Sequence, residues 1–194
     1  MLATENLTKE HQLILKYVNL MERYAESTLK HQDNLKLMEK ADCFLEFIDA
    51  FADRFHHEKE ESILFRYLQI PGVLTHCNPV PQMLNEHQKA REFVQSMRQA
   101  LQAKDLNGLA NNAVQYSLLL KEHIYKEDNI LYPMAERSLS GEVKLKLSEE
   151  CCQADECLDS QTIWCKYERL YNDLEHHHNL SSPNCDLLMP EISI

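Results

Sequence analysis

Two stretches of the chain, FHHEKEESILF (residues 55–65) and KEHIYKEDNILYP (residues 121–133), repeat one chemical pattern. Each sets a histidine four residues before a glutamate: His56 with Glu60, and His123 with Glu127. Each then runs into two apolar residues and an aromatic one. Positions i and i+4 share a helix face, one turn apart. An imidazole and a carboxylate stacked that way can grip one metal ion between them. Two such helices set face to face can grip a pair of ions.

The elements that must carry these residues are helices. Apolar residues recur at helical spacing nearly throughout, and only 3 Gly and 6 Pro interrupt 194 residues. The periodicity predicts a first helix from about Thr8 to Lys30 and a second from about Asn34 to Gln69. A loop follows from Ile70 to Pro81, carrying Gly72, Pro79 and Pro81. A third helix is expected from about Gln82 to Ala103 and a fourth from about Leu106 to Ser138, with Pro133 bending its last turn. Gly141 breaks the chain before a fifth helix from about Val143 to Leu174. The fold class is therefore all-α: an up-down four-helix bundle with an additional C-terminal helix. It divides into a bundle over 5–138, a trailing helix over 139–175, packed on the bundle or at an interface, and a loosely held tail over 176–194.

Spacing sorts neighbouring candidates by face. Steps of three and four from His56 reach Leu45, Ile48, Ala52, Glu60, Ile63, Leu64 and Tyr67, an apolar stripe apart from the candidate ligands. The same steps from His57 reach Glu46, Asp49, Ala50, Asp53, Glu61 and Leu64, a mostly charged stripe. His56 and Glu60 should face the core, and His57 and Glu61 should lie nearer solvent. The His123 stripe holds Tyr116, Leu119, Leu120, Glu127, Ile130, Leu131 and Met134. His87 lies among Met83, Leu84, Ala90 and Val94, and His11 among Leu7, Ile14, Leu15 and Val18. Each of the four bundle helices thus brings a histidine on its apolar face.

One histidine on an apolar face is ordinarily a hydrogen-bonded core residue. The conjunction is different. Burying an ionised carboxylate costs several kcal/mol unless something compensates it. Neither Glu60 nor Glu127 has a Lys or Arg on its own stripe. Cations are the stronger compensation. Four imidazoles and two carboxylates without a thiolate suit iron, manganese or zinc, and iron is the redox-capable choice. If each glutamate bridges, each ion receives two imidazoles and two carboxylate oxygens. An octahedral ion then keeps room for a bridging oxygen and an exogenous ligand.

At these residues the chain resembles the hemerythrin-like, or HHE cation-binding, family. The matching pieces are EHQLI at His11, HHEKEESILF at His56 and Glu60, NEHQKAREF at His87, and HIYKEDNILYP at His123 and Glu127. The resemblance covers roughly residues 5 to 138. It implies a non-haem centre of two iron ions bridged by carboxylates and an oxo or hydroxo group, with zinc or manganese as substitutes. It further implies one iron held by His11 and His56 and the other by His87 and His123, with Glu60 and Glu127 bridging. The family's oxygen carriers place another histidine one turn after the one on the third helix. Arg91 stands there in this chain. That departure argues against simple reversible oxygen carriage. It points toward sensing or scavenging dioxygen, nitric oxide or peroxide, or toward iron handling. For His57 the solvent side is the base expectation, with a hydrogen-bonding role behind a ligand, or ligation itself, as alternatives.

Composition narrows the partners. The formal net charge of −11 repels phosphate backbones and anionic membranes, so neither nucleic acid nor a membrane is expected. No apolar run is long enough to cross a bilayer, and no export signal is visible. Seven cysteines at irregular spacing suggest reduced thiols in the cytoplasm. A thiolate zinc site is a weak reading, since no CxxC pair occurs. Trp164, Tyr167, Leu170 and Tyr171 are expected to pack on the bundle or to form a homodimer or partner surface. Tyr67, Tyr116 and Tyr125 are expected to pack in the core, with hydrogen bonding behind the ligands as the alternative. His31 and His76 are expected in solvated loops, and His176, His177 and His178 in a polar tail.

The leading functional expectation is a cytoplasmic di-iron protein that binds, senses or scavenges a small diatomic ligand or peroxide. The alternative is an iron-sensing or iron-handling regulator whose metal occupancy controls a partner contact. A purely structural helical module would leave Glu60 and Glu127 buried without partners. No organic-substrate site is visible: no nucleophile is paired with a base, and no glycine-rich phosphate loop is present. Turnover of peroxide or nitric oxide is chemistry open to such a centre.

Overall fold

The structure, a computed structural model, describes residues 3–31, 35–75 and 77–179. Among these residues the chain is all-helical, with no strand. Helix α1 is Ala3–Lys30. Helix α2 covers residues 36–68: Lys36–Phe47 is α-helical, Ile48–His57 and Glu60–Leu64 are π-helical, and Phe65–Leu68 is α-helical again. Helix α3 is Val80–Gln102, with Pro81 in its first turn, where no intrahelical amide bond is lost. Helix α4 covers residues 106–138, with a π-helical turn at Glu127–Leu131 between Leu106–Lys126 and Tyr132–Ser138. Two further helices follow, α5 at Gly141–Cys157 and α6 at Ser160–Asn179.

Local chemistry sets several of these ends. Asp105 caps α4, its side chain accepting from the Gly108 amide at 2.9 Å. A Cβ at position 108 would come within 2.2 Å of that same carboxylate. Glycine there lets the cap close. Ser140 caps α5 in the same manner, through the Val143 amide. Pro133 does not break α4. It follows the wide turn at Glu127–Leu131, where i→i+5 winding shifts the carbonyl that its ring would otherwise strike.

Helix α4 lies against both α1 and α3, α2 packs on α1, and α2 also meets α3 and α4. The four-helix bundle is as expected. The trailing helix is not one rod. It breaks at Leu158–Asp159, where Asp159 takes φ +50°, a left-handed conformation that aspartate tolerates better than most residues. Helix α5 packs on α1 and on the π-helical turn of α2, and α6 packs on α1 and the first part of α2. Tyr167 is buried against the bundle, with Trp164, Leu170 and Tyr171 packed around it. The expected tail begins too early at residue 176. His176, His177 and His178 form the last turn of α6. His178 Nδ1 lies 3.1 Å from Arg23 Nη2, and His177 Nδ1 lies 3.3 Å from the Tyr24 hydroxyl. Residues 180–194 and His76 lie outside the described residues.

The core is divided. One apolar cluster runs through Ile14, Tyr17, Tyr24, Phe44, Phe47, Phe51, Met97 and Leu120. A second gathers Leu7, Leu64, Phe65, Leu68, Met83, Leu131 and Ala135 with Leu147 and Cys151 of α5. His11, His56, Glu60, His87, His123 and Glu127 are buried too and belong to neither cluster. Each buried Leu or Phe contributes ~1.5–3 kcal/mol. The fold can therefore tolerate a polar layer costing several kcal/mol. No helix among the described residues is long and apolar enough to cross a membrane.

Candidate metal centre

All six residues singled out by type and spacing come together in that polar layer. Their relative exposure is 1% or less. Glu60 Oε2 lies 3.6 Å from His56 Nε2 and 3.4 Å from His87 Nε2. Glu127 Oε2 lies 3.3 Å from His11 Nε2 and 3.2 Å from His123 Nε2. Each glutamate thus stands between two histidines of different helices. Two groups of donor atoms emerge, each with its atoms within 4.8 Å of one another: His11, His56, Glu60 and Glu127, and His57, Glu60, His87 and His123. No cysteine belongs to either group.

The imidazoles are aimed. Nδ1 of His56 donates to Glu10 at 2.8 Å, and Nδ1 of His87 to Glu61 at 2.7 Å. Nδ1 of His123 donates to Glu86 at 2.9 Å, and Nδ1 of His11 to Asp128 at 2.8 Å. An ionised carboxylate only accepts, so Nδ1 carries the proton and Nε2 is left with its lone pair toward the centre. The braces form a closed cycle. A carboxylate on α1 holds the histidine of α2, one on α2 holds α3, one on α3 holds α4, and one on α4 holds α1. Cations grip three of the four: Lys59 donates to Glu10, Arg91 to Glu61 and Lys126 to Glu86. Metal-ligating histidines are held this way by outer carboxylates.

Four inward-facing polar atoms of the centre find no partner among the protein's own groups. His56 Nε2, Glu60 Oε2 and both carboxylate oxygens of Glu127 are buried without a hydrogen-bond partner. His87 Nε2 and His123 Nε2 face each other at 2.9 Å, an approach two lone pairs cannot make without a proton or cation between them. Electrostatics say the same. Burial alone would lower His11 and His123. Asp128 and Glu127 nevertheless lift His11 to about 9, and Glu127 with Glu86 lifts His123 to about 10. Burial would raise Glu127, yet His123 and His11 hold it well below the ordinary carboxylate range. Burial keeps His56 far below the usual imidazole value. The layer favours positive charge at His11 and His123, and its donor set of imidazoles and carboxylates suits divalent transition metals.

The wide turns explain where spacing misleads. His57 is buried, at 3%, against the solvent-side expectation. It ends a π-helical stretch, where i→i+5 winding brings successive side chains closer than the ~100° of an α-helix, so His56 and His57 both point inward. Likewise, the turn at Glu127–Leu131 shifts the inward face by one residue. Leu131 and Tyr132 are buried while Ile130 is 47% exposed. Tyr132 is a site residue that spacing missed. Its hydroxyl donates to Glu60 Oε1 at 2.6 Å, lies 3.3 Å from His11 Nε2, and its ring stacks on His11. Tyr125, by contrast, is exposed rather than in the core, and Tyr67 is partly buried, donating to Glu150. The braces were also missed. Their signal was present: an acidic residue directly adjoins each of His11, Glu60, His87 and Glu127.

The family model of the hemerythrin HHE cation binding domain matches residues 2–135. That span holds all six residues and stops short of α5 and α6. No curated protein and no solved structure matches the chain.

Proposed function

This chain belongs to the hemerythrin HHE cation-binding domain family, and on that footing we propose that it is a cytoplasmic non-haem di-iron protein that binds, senses or scavenges dioxygen, nitric oxide or peroxide. The observation that carries the reading is the closed cycle of braced imidazoles around two buried carboxylates, with Glu60 Oε2 and both Glu127 oxygens left without a hydrogen-bond partner. His11 and His56 would hold one ion and His87 and His123 the other, with Glu60 and Glu127 shared. When bound, the ions would supply a redox-active centre able to take a small ligand.

The chain's own groups fit that use. Tyr132 offers a hydroxyl proton at the centre, and burial together with the Glu60 and Glu127 charges keeps that phenol protonated well past its ordinary range. Phe65 stacks on His87 as Tyr132 does on His11, so an aromatic ring covers a face of each imidazole. A cavity of about 220 Å³ reaches His57, its walls apolar at Ile48, Ala90, Val94 and Tyr116 and charged at Asp49, Asp53, Arg91 and Arg98. At that volume it suits a small ligand better than an organic substrate. Metal analysis of protein purified without added metal tests the reading, with about two irons per chain expected. Exposing reduced protein to dioxygen or nitric oxide should then change its near-ultraviolet absorption. Indifference to both gases would refute ligand binding even with iron in place.

One contact chain favours a second reading, iron sensing. Lys59 is buried and donates to Glu10, the brace of His56, and also to Asp155 of α5 at 2.6 Å. Helix α5 lies beyond the family match, yet it is tied to a candidate ligand through two side chains. Metal occupancy would then bias how α5 and α6 sit, and with them a partner contact. Limited proteolysis with and without iron separates the readings. A gas-binding protein should keep its cleavage pattern, and a sensor should expose α5.

A further inference from the structure

His57 has the surroundings of a ligand rather than of a packing residue. Its ring lies face to face on His87, with centroids 3.9 Å apart and planes 18° apart. Phe65 stacks more loosely on His87, at 5.9 Å and 20°. Phenylalanine shows what a stacking partner alone requires. His57 has more. Its Nδ1 lies 3.3 Å from Asp53 Oδ1, so it too is backed by a carboxylate, as the other four imidazoles are. Its ligand atom lies within 4.8 Å of those of Glu60, His87 and His123.

Arg91, one turn after His87, turns away from the centre. Its Nε and Nη2 donate to Asp53 Oδ1 at 2.9 and 2.7 Å, and Nη2 donates to Glu61 Oε1 at 2.8 Å. Glu61 in turn holds Nδ1 of His87. One guanidinium therefore fixes both carboxylates behind the stacked pair. Arginine suits that task, because its planar fork meets carboxylates in a set geometry.

We infer that His57 is a fifth imidazole ligand, of the ion shared by Glu60, His87 and His123, and that Arg91 acts through Asp53 to position it. Helix α2 then supplies consecutive histidines to the two ions, His56 to one and His57 to the other. The π-helical winding of Ile48–His57 makes that division possible. The centre is asymmetric, with three imidazoles on one ion and two on the other. His57 also lines the cavity shared with Ile48, Ala90, Val94 and Tyr116.

The inference rests on the di-metal reading, and one titration separates the two. Apo-protein is loaded anaerobically with ferrous iron against a competing chelator. Ions per chain are counted, and Mössbauer spectra are recorded for wild type, His57→Phe, His57→Gln, Asp53→Asn and Glu60→Gln. Phenylalanine keeps the stacking and removes the donor, while glutamine covers the case in which phenylalanine disturbs folding. Wild type should bind two ions with two inequivalent iron signals. Both His57 variants should keep one ion at wild-type affinity and weaken the other by at least about tenfold, and Asp53→Asn should weaken that same ion by about tenfold. Two ions at wild-type affinity in a folded His57 variant would overturn the ligand assignment. An unchanged Asp53→Asn would overturn the positioning role. If wild type binds fewer than two ions, or Glu60→Gln leaves both unaffected, the di-metal reading itself fails.

Discussion

Glu10 and His56 are 46 residues apart in sequence and 2.8 Å apart in space, joined through Oε2 and Nδ1. The other oxygen of Glu10 takes the ammonium of Lys59 at 2.5 Å. A carboxylate on one helix therefore aims an imidazole on the next and neutralises a buried cation. Replacing it by Glu10→Ala should leave Lys59 with only Asp155 and leave His56 unbraced. Breaking a buried pair costs ~3–5 kcal/mol, and losing a brace costs ~10–100-fold in metal affinity. Urea unfolding and chelator competition would measure the two losses separately. Lys59→Met, which removes the charge but keeps the stem's volume, should cost less stability than Glu10→Ala.

The metal-free protein should be most stable near neutrality. His11 and His123 titrate at about 9 and about 10 when folded, against 6.5 ordinarily. Groups raised in this way stabilise fully below about 6.5 and lose that contribution as pH climbs through their folded values. His56 and His57 are lowered, His57 to about 3, so acid favours the unfolded chain below about 6.5. Calorimetry of apo-protein should show Tm falling on both sides of about pH 6.5. With metal bound, ions replace the protons on His11 and His123. The alkaline fall should then shrink, and metal affinity should rise with pH until about 9–10, where the folded His11 and His123 give up their protons.

Tyr132→Phe should preserve the stacking on His11 and delete one donor to Glu60. In apo-protein a buried Glu60 oxygen would lose its partner, at a cost of ~1–3 kcal/mol. In loaded protein the ion count should stay unchanged while the rate of reaction with peroxide or dioxygen falls. Stopped-flow absorbance checks the rate. A variant that loses iron would instead make Tyr132 structural.

Asp155→Asn removes the charge through which α5 reaches Lys59. The four-helix bundle should stay folded, since Asp155 lies on α5 and its carboxylate is about one-fifth exposed. Protease protection of α5 should drop, and the protection that remains should no longer change with iron. If wild-type α5 responds to iron and this variant responds equally, the contact does not couple them.

Much of the fold was legible because its signals are local. Apolar spacing, scarce glycine and the prolines at 71, 79 and 81 set four bundle helices close to where they lie. The six ligand candidates were legible for a different reason: a histidine or carboxylate on an apolar stripe is costly, and cost implies compensation. What failed was the assumption of uniform winding. Three π-helical stretches moved His57 and Tyr132 inward and Ile130 outward, and nothing in the residue types at 48–57 or 127–131 announces a wider turn. The braces escaped because Glu10, Glu61, Glu86 and Asp128 look like ordinary solvated charges until a neighbouring helix is in place. Asp159 broke the trailing helix through a backbone angle that its sequence surroundings do not demand.

The cycle of braces has a topological consequence. No helical hairpin cut from this bundle contains a self-sufficient half-site, because every histidine is oriented by the helix before it around the ring. A fragment of two neighbouring helices would keep one brace and carry one histidine whose tautomer and direction are undefined. The ring itself, however, has no first member. A circular permutant with new ends in the 103–105 connection would still present the same four contacts in the same rotation. Metal uptake in such a rearranged chain should therefore report whether the four helices have met, irrespective of the order in which they were synthesised.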